Sequence, residues 1–287
     1  MSRWLLKSFR KDHLSSQSGS TPKLSILIIL AGCFIALVIV LAGFALSRVE
    51  GKIKTDVGKA LQIVQQTTRG SLNLWVETNK FDLTRFAGDP RVVFLAEQQL
   101  TVPRNKDDLL KSRALSELRR FFQNNKDRFG TASYFIIAAD FVNIASMGDK
   151  KIGSKNRIAS QALDLLNRAF KGETVMVPPI WADAALASSS GDKSVNLPTM
   201  FFVAPIKNLQ GHIIATVARQ IDPSQDFTRL IQLGRIGNTG ETYAFGRYGK
   251  LLSQSRFDED LRKAGLIAEN QKSILRVSVR DPGGDMT

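Results

Sequence analysis

Residues 198–221 read PTMFFVAPIKNLQGHIIATVARQI. Two runs rich in aromatic and β-branched residues, Pro198–Ile206 and His212–Ile221, flank Lys207-Asn208-Leu209-Gln210-Gly211. Runs of this composition bounded by turn residues are strands, and a short Asn- and Gly-bearing link joins them as an antiparallel hairpin. A pair of long adjacent strands needs further strands beside it and helices to cover its faces.

Upstream, Ser133-Tyr-Phe-Ile-Ile-Ala-Ala139 and Val142-Asn-Ile-Ala-Ser-Met147 read as two strands about an Asp140-Phe141 turn. Ile158–Phe170 has helical spacing and is closed by Gly172. Thr174-Val-Met-Val177 is a short strand that should stop at Pro178-Pro179, because proline breaks a ladder. Leu186–Leu197 is a Ser-rich loop. Residues 131–222 therefore predict a helix-flanked antiparallel sheet of about five strands, an α+β domain.

Further upstream, Leu24–Leu46 holds 23 residues without a charge. At about 1.5 Å per residue this spans a bilayer core of roughly 30 Å, which predicts a transmembrane helix. A cleaved leader would carry a shorter apolar stretch, with Gly43-Phe44-Ala45 as its cleavage site. Residues 1–23 bear five basic side chains against Asp12, which places that tail in the cytoplasm by the positive-inside rule. Residues 48–287 then lie outside with a net charge of +10 out of the total +14. Past the membrane, Val49, Ile53, Val57, Leu61, Val64, Thr68, Leu72 and Trp75 recur at helical steps and predict a continuing stalk helix that can pair with a second copy. Further helical patterns follow Asp82, restart at Asp89-Pro90, and run from about Asp107 to Phe129, with Asn105 or Asp107 as cap and Gly130 as stop.

Composition narrows the chemistry. The single cysteine, Cys33, lies in the apolar span, and the histidines are His13 and His212 alone. No disulfide framework or thiolate metal site can be assembled outside the membrane, and with His212 as the one histidine there, neither a histidine zinc site nor a histidine-assisted nucleophile is expected. No catalytic residue, cofactor or metal is expected. The basic balance raises nucleic acid, but a domain outside the cytoplasm does not meet it. Asp258, Glu259 and Asp260 read as a solvated helix face. Gly234–Thr242, GRIGNTGET, superficially resembles a phosphate loop but has Glu241 where a lysine is required.

Downstream of the hairpin, Asp222-Pro223 predicts a capped helix through Leu233. Tyr243–Phe245 and Lys250–Leu252 then read as strands about a Gly246–Gly249 turn, followed by a helix from Asp258 to Gly265 and a strand over Leu275–Val279. Gly237-Asn-Thr-Gly-Glu-Thr-Tyr243, followed by Gly249-Lys-Leu-Leu-Ser253 and Ser255-Arg-Phe257, resembles the double Cache sensor domains. These are extracytoplasmic ligand-binding regions of bacterial chemoreceptors, sensor histidine kinases, cyclases and transmembrane Ser/Thr kinases. The resemblance covers about residues 48–287 and is strongest over 198–257. It implies two PAS-like sheets, a small-molecule pocket in the membrane-distal one, a second membrane helix and a cytoplasmic output domain. The chain ends within the second module and so resembles the amino-terminal part of a larger receptor. The expected layout is a tail (1–23), a transmembrane helix (24–46), a stalk and helical region (47–130), a distal module (131–223) and a partial proximal module (224–287).

One subgroup of the family binds amino acids through Arg-x-Trp-Tyr and a later carboxylate. Here Trp181 lacks both the arginine and the tyrosine, and Gln220 or Asp222 stands where the carboxylate is expected. A pocket needs apolar walls with a few convergent polar groups. The candidates are Tyr134 on the first strand, Trp181 and Asp183 after the Pro-Pro pair, Thr199 and Phe201 along the next strand, and Arg219 and Asp222 at the end of the last. The function expected is that of a membrane-anchored ligand-sensing region, homodimeric through its stalk and not an enzyme. The alternative is an envelope-facing interaction module that uses its positive charge to bind an anionic polymer or a partner protein.

Overall fold

The computed structural model describes residues 22–125, 133–182, 197–235 and 240–279. The chain divides between Lys59 and Ala60 into two compact units. Helix α1, Pro22–Ala87, supplies the first unit and the opening of the second. It is the one helix among the described residues long and apolar enough to cross a membrane, with an 18-residue window of mean hydropathy 3.1 that is entirely unburied.

The second unit begins with short helices. Asp89 caps α2, Pro90–Leu100, by accepting from the Arg91 amide, and Pro90 occupies the first turn, where it sacrifices no hydrogen bond. Asn105 likewise caps α3, Lys106–Lys111, which is separated at Ser112 from α4, Arg113–Asn124. The expected single helix over 107–129 is thus two helices, and its expected stop at Gly130 lies outside the described residues.

The sheet follows: β1 Tyr134–Ile137, β2 Asn143–Ser146, β3 Val175–Trp181, β4 Pro198–Lys207 and β5 Ile213–Ile221. Every pairing is antiparallel and the order is β2-β1-β5-β4-β3. The hairpin quoted above forms its centre. In its turn Asn208 Oδ1 accepts from the Gln210 and His212 amides at 3.1 and 2.8 Å, and Gly211 takes φ +81. That left-handed conformation suits glycine because it has no Cβ.

Side chains alternate cleanly. Tyr134, Ile136, Met200, Phe202, Ala204, Ala215 and Val217 face α1, α2 and α4, while Phe135, Ile137, Val177, Phe201, Val203 and Ala218 face two short helices, α5 (Arg157–Gln161) and α6 (Leu163–Phe170). Each fully buried large apolar side chain contributes about 1.5–3 kcal/mol. On the first face Phe86 of α1, Phe122 of α4 and Tyr134 of β1 stack with centroids 5.1–5.5 Å apart. Trp75 of α1 meets Phe202 edge-on at 5.4 Å.

Two expectations are corrected here. Strand β3 does not stop at Pro178-Pro179 but continues to Trp181. It is an edge strand paired only with β4, and its register shifts between Val177 and Ile180, so the prolines fall where ladder hydrogen bonds are dispensable. The helix expected over 158–170 is broken at Ala162, which is buried against the sheet with φ −149. No breaker residue announces that kink.

After β5, the helix expected from Pro223 begins three residues later, as α7 (Asp226–Gln232), and α8 spans Asp258–Lys263. The strands expected at 243–245, 250–252 and 275–279 are present only as isolated bridges, Phe245↔Leu251 and Lys250↔Ser278. Tyr243 and Phe245 remain 38% and 59% exposed, so these short runs bury too little apolar surface to draw out a full ladder. The Gly246–Gly249 turn is closed by Gly249 N to Gly246 O at 2.9 Å, and a Cβ on Gly249 would stand 2.6 Å from Val279 O.

Truncating the fully buried Phe202 removes the contact with Trp75 and leaves a cavity. Phe202→Ala should lower stability by about 3–5 kcal/mol, measured by thermal unfolding of the chain in detergent micelles.

Candidate functional site

Residues of odd number on β4 and even number on β5 point to the face covered by α5 and α6. There Thr199 and Phe201 stand beside Gln220, which pairs directly with Phe201 across the ladder. A small recess of about 20 Å³ opens at this point, lined by Phe135, Asn143, Lys151, Asn156, Arg157, Ala182, Thr199, Phe201 and Gln220. Ala182, Thr199 and Gln220 also line an outer cavity of about 300 Å³, completed by Leu197, Pro198, Asp222, Ser224, Lys272 and Ile274. The two spaces are adjacent because they share these three walls.

The recess floor is polar but ordered. Asn156 caps α5 through its Oδ1 to the Ile158 amide at 2.9 Å and donates its Nδ2 to Asn143 Oδ1 at 2.7 Å. Thr199 is 3% exposed, and its hydroxyl reaches Ile221 O at 3.4 Å. Gln220 Oε1 is buried and has no hydrogen-bond partner among the described residues. A buried acceptor left in this state costs free energy unless something donates to it. Lys151 and Arg157 both line the recess; burial first, and the Arg157 charge second, hold the Lys151 pKa below its ordinary value. Among the described residues that line the recess none is acidic. At the mouth of the outer cavity, Asp222 Oδ1 accepts from the Ser224 amide at 2.8 Å and hydroxyl at 2.7 Å, a local turn instead of the helix cap expected of it.

The sequence-derived candidates separate. Thr199, Phe201 and Asp222 come together around the recess and outer cavity. Trp181 ends β3 beside Ala182; its backbone is held by the Gln161 side chain, and its ring lies 4.7 Å beneath the Arg276 guanidinium. Tyr134 and Arg219 are direct partners across the β1–β5 ladder, but on the opposite face. Tyr134 is in the aromatic stack, where burial raises its pKa. Arg219 Nη2 donates to Asn79 Oδ1 of α1 at 2.8 Å, and burial lowers its pKa, partly opposed by Tyr134 and Asp82. Asp183 lies outside the described residues. Sequence reading passed over Asn143, Asn156, Lys151, Arg157 and Lys272. Asn156, immediately before a helical run, carried a cap signal; Lys272 carried none.

A further cavity of about 320 Å³ lies between α2 and α4, on the other side of the sheet. Its Arg91, Arg120 and Asn124 are exposed, so it is a surface groove without converging buried polar groups.

Gly237, Asn238 and Thr239 of the motif lie outside the described residues, but the rest of the motif is accounted for. Glu241 accepts from the Arg256 amide at 2.7 Å and from the Ser255 hydroxyl at 3.1 Å, and Arg256 Nη1 donates to Gly240 O at 2.9 Å. The two halves of the motif therefore clamp each other.

No family model matches the chain, and no curated protein matches it. Among solved structures it is similar to the ligand-binding domain of the Campylobacter jejuni chemoreceptor Tlp3 in complex with L-valine, at 13% identity over 72% of this chain and 73% of that one, with a TM-score of 0.41. It is also similar to the ligand-binding domain of the Pseudomonas aeruginosa PAO1 amino acid chemoreceptor PctC in complex with GABA, at 12% identity over 75% of this chain and 77% of that one, with a TM-score of 0.39. The V. cholerae histidine kinase DctB sensor domain matches at 12% identity over 60% of this chain, with a TM-score of 0.41; the chain spans 57% of that domain. At this level of likeness the reading of the site rests on its geometry.

Gln220→Leu removes the buried acceptor while keeping the side-chain volume. It should raise the stability of the ligand-free protein by about 1 kcal/mol, read as an increased melting temperature.

Proposed function

We propose that the chain is the extracytoplasmic ligand-sensing region of a membrane-anchored bacterial receptor of the double Cache type, and that it binds a small polar molecule on the α5–α6 face of the sheet. The observation that carries this reading is the outer cavity and its recess, where Thr199, Gln220, Asp222 and Lys272 converge beside the apolar walls of Phe135, Phe201 and Ile274. A volume of about 300 Å³ lies at the lower end of the range for small-molecule sites. The orphaned Gln220 oxygen gives the site a group that a ligand donor would satisfy. We assign Thr199, Phe201 and Asp222 to ligand contact and Trp181 to the rim. Tyr134 and Arg219 we assign to the coupling between β5 and helix α1.

The apolar part of α1 anchors the chain, the basic tail before it stays in the cytoplasm, and residues 48–287 lie outside. Along α1, Val49, Ile53, Val57 and Leu61 form a line of side chains 48–56% exposed at steps of four. This line suits pairing with a second copy of the same helix. The role is binding and not catalysis; signal output belongs to other parts of the receptor.

A thermal-shift screen of the chain in detergent micelles against L-amino acids, small carboxylates and nucleobases should find a stabilising compound. At about one hundred times its Kd such a ligand adds about 2.7 kcal/mol. Absence of any shift, together with salt-sensitive binding of an anionic polymer, would instead favour an envelope-binding module. A phosphatase reporter that is active only outside the cytoplasm, fused after Thr287, should be active; an inactive fusion reverses the orientation.

A further inference from the structure

From Ala60 onward, where helix α1 belongs to the second unit, it carries two apolar stripes. The chain's own fold takes one of them. Leu72, Trp75, Val76, Leu83 and Phe86 pack into the core against the sheet. The lower part of the same stripe is covered as well. Gly234, just past α7, lies so close to it that a Cβ there would stand 3.2 Å from Thr68 Cβ and 3.3 Å from Val64 Cγ1. The stripe that the sequence offers for pairing with a second copy is therefore occupied between Val64 and Trp75.

The other stripe faces away from the core. Ile63, Leu74 and Phe81 are 63%, 70% and 62% exposed. With the exposed Thr67, Gly70 and Glu77 they fall at alternating steps of four and three. That period of 3.5 residues keeps a narrow seam on one side of the helix and is the spacing of helices that pair lengthwise. In the sequence the same alternation runs back unbroken through Ala60, Asp56, Ile53, Val49 and Leu46. One exposed apolar side chain is ordinary; three in one register along about 27 Å of helix form a surface.

The details of the seam suit close helix pairing. Gln66, Ser71, Asn73 and Thr78 are exposed beside it, so an apolar centre has a polar rim. Glu77 is bonded to Lys80 of its own helix at 2.9 Å, so its charge is not isolated on the seam. A Cβ on Gly70 would meet nothing within 4 Å. Packing inside the chain therefore does not call for this glycine, which weakens a helix interior. Midway along a seam it lets a second backbone approach. The period calls for another helix of the same period. A second copy anchored in the same membrane presents one in the same direction, and a two-fold axis then sets each residue against itself.

We propose that two copies of the chain pair lengthwise through this outward seam, with Ile63, Gly70, Leu74 and Phe81 of one against the same residues of the other. The dimer interface then includes the second unit and is not confined to the stalk. This rests on the reading that the chain is membrane-anchored and pairs through α1.

The test is disulfide trapping of the full chain in membranes. Cys33→Ser removes the native thiol, and Leu74→Cys, Phe81→Cys, Asn73→Cys and Ile53→Cys are made singly in that background. Residues that meet across the two-fold axis come within disulfide reach. Under mild oxidation Leu74→Cys and Phe81→Cys should give a covalent dimer about tenfold faster than Asn73→Cys, which is exposed on the same helix but turned from Leu74 by about 100°. If one of the two seam variants lowers the melting temperature, the other carries the test. Equal trapping at Leu74 and Asn73 overturns the seam. Trapping at Ile53→Cys without trapping at Leu74→Cys or Phe81→Cys also overturns it and leaves stalk pairing standing. If no position is trapped, the seam and the stalk pairing fall together, and ligand binding, read by thermal shift, is untouched.

Discussion

Both faces of a five-stranded antiparallel sheet must be withdrawn from water, and in this protein the two faces are covered by different kinds of structure. Long and regular helices take one face: α1, α2 and α4 bring Trp75, Phe86 and Phe122 onto Tyr134 and Phe202. Among the described residues, the other face is packed against two short helices, α5 and α6, which cover Phe135, Val177 and Val203. On the first side the space between α2 and α4 is a surface groove lined by exposed charged side chains, whereas on the second side the recess and outer cavity reach buried polar groups on β4 and β5.

Strand β5 lies between these environments. Its neighbouring residues Arg219 and Gln220 point to opposite sides by the period of two, one to Asn79 on α1 and the other to the cavity. Strand β5 therefore touches the long helix with one residue and the cavity with the next. The C-terminal stretch adds Lys272 and Ile274 to the cavity wall, and Lys272 donates to Ser224 there.

The legibility of these features in the sequence followed their range. The hairpin, the helix restart at Asp89-Pro90 and the apolar span rest on neighbouring residues, so their signals were local and sufficient, while the choice of Asn105 over Asp107 as cap came from the structure. The continuation of β3 through two prolines was hidden because edge position depends on which strands lie beside it. The kink at Ala162 was hidden because it answers to packing against the sheet. Of the candidate site residues, Thr199 and Phe201 were recognisable as one alternating face of a strand. Assigning Tyr134 and Arg219 to the same pocket required knowing which face each strand turns to the helices, and sequence periodicity fixes alternation without fixing which side is which.

The amino-acid sequence by itself determined the long apolar helix, the α+β class, the central antiparallel hairpin and the scarcity of cysteine and histidine side chains. Each follows from composition or from interactions within a few residues. Tertiary structure alone decided the strand order, the parting of the candidates between two faces, the recruitment of Lys272 across about fifty residues from Asp222, and the clamping of one half of the Gly-Glu motif by the other. These depend on which distant surfaces bury one another, a property of the folded chain that no short stretch of it encodes.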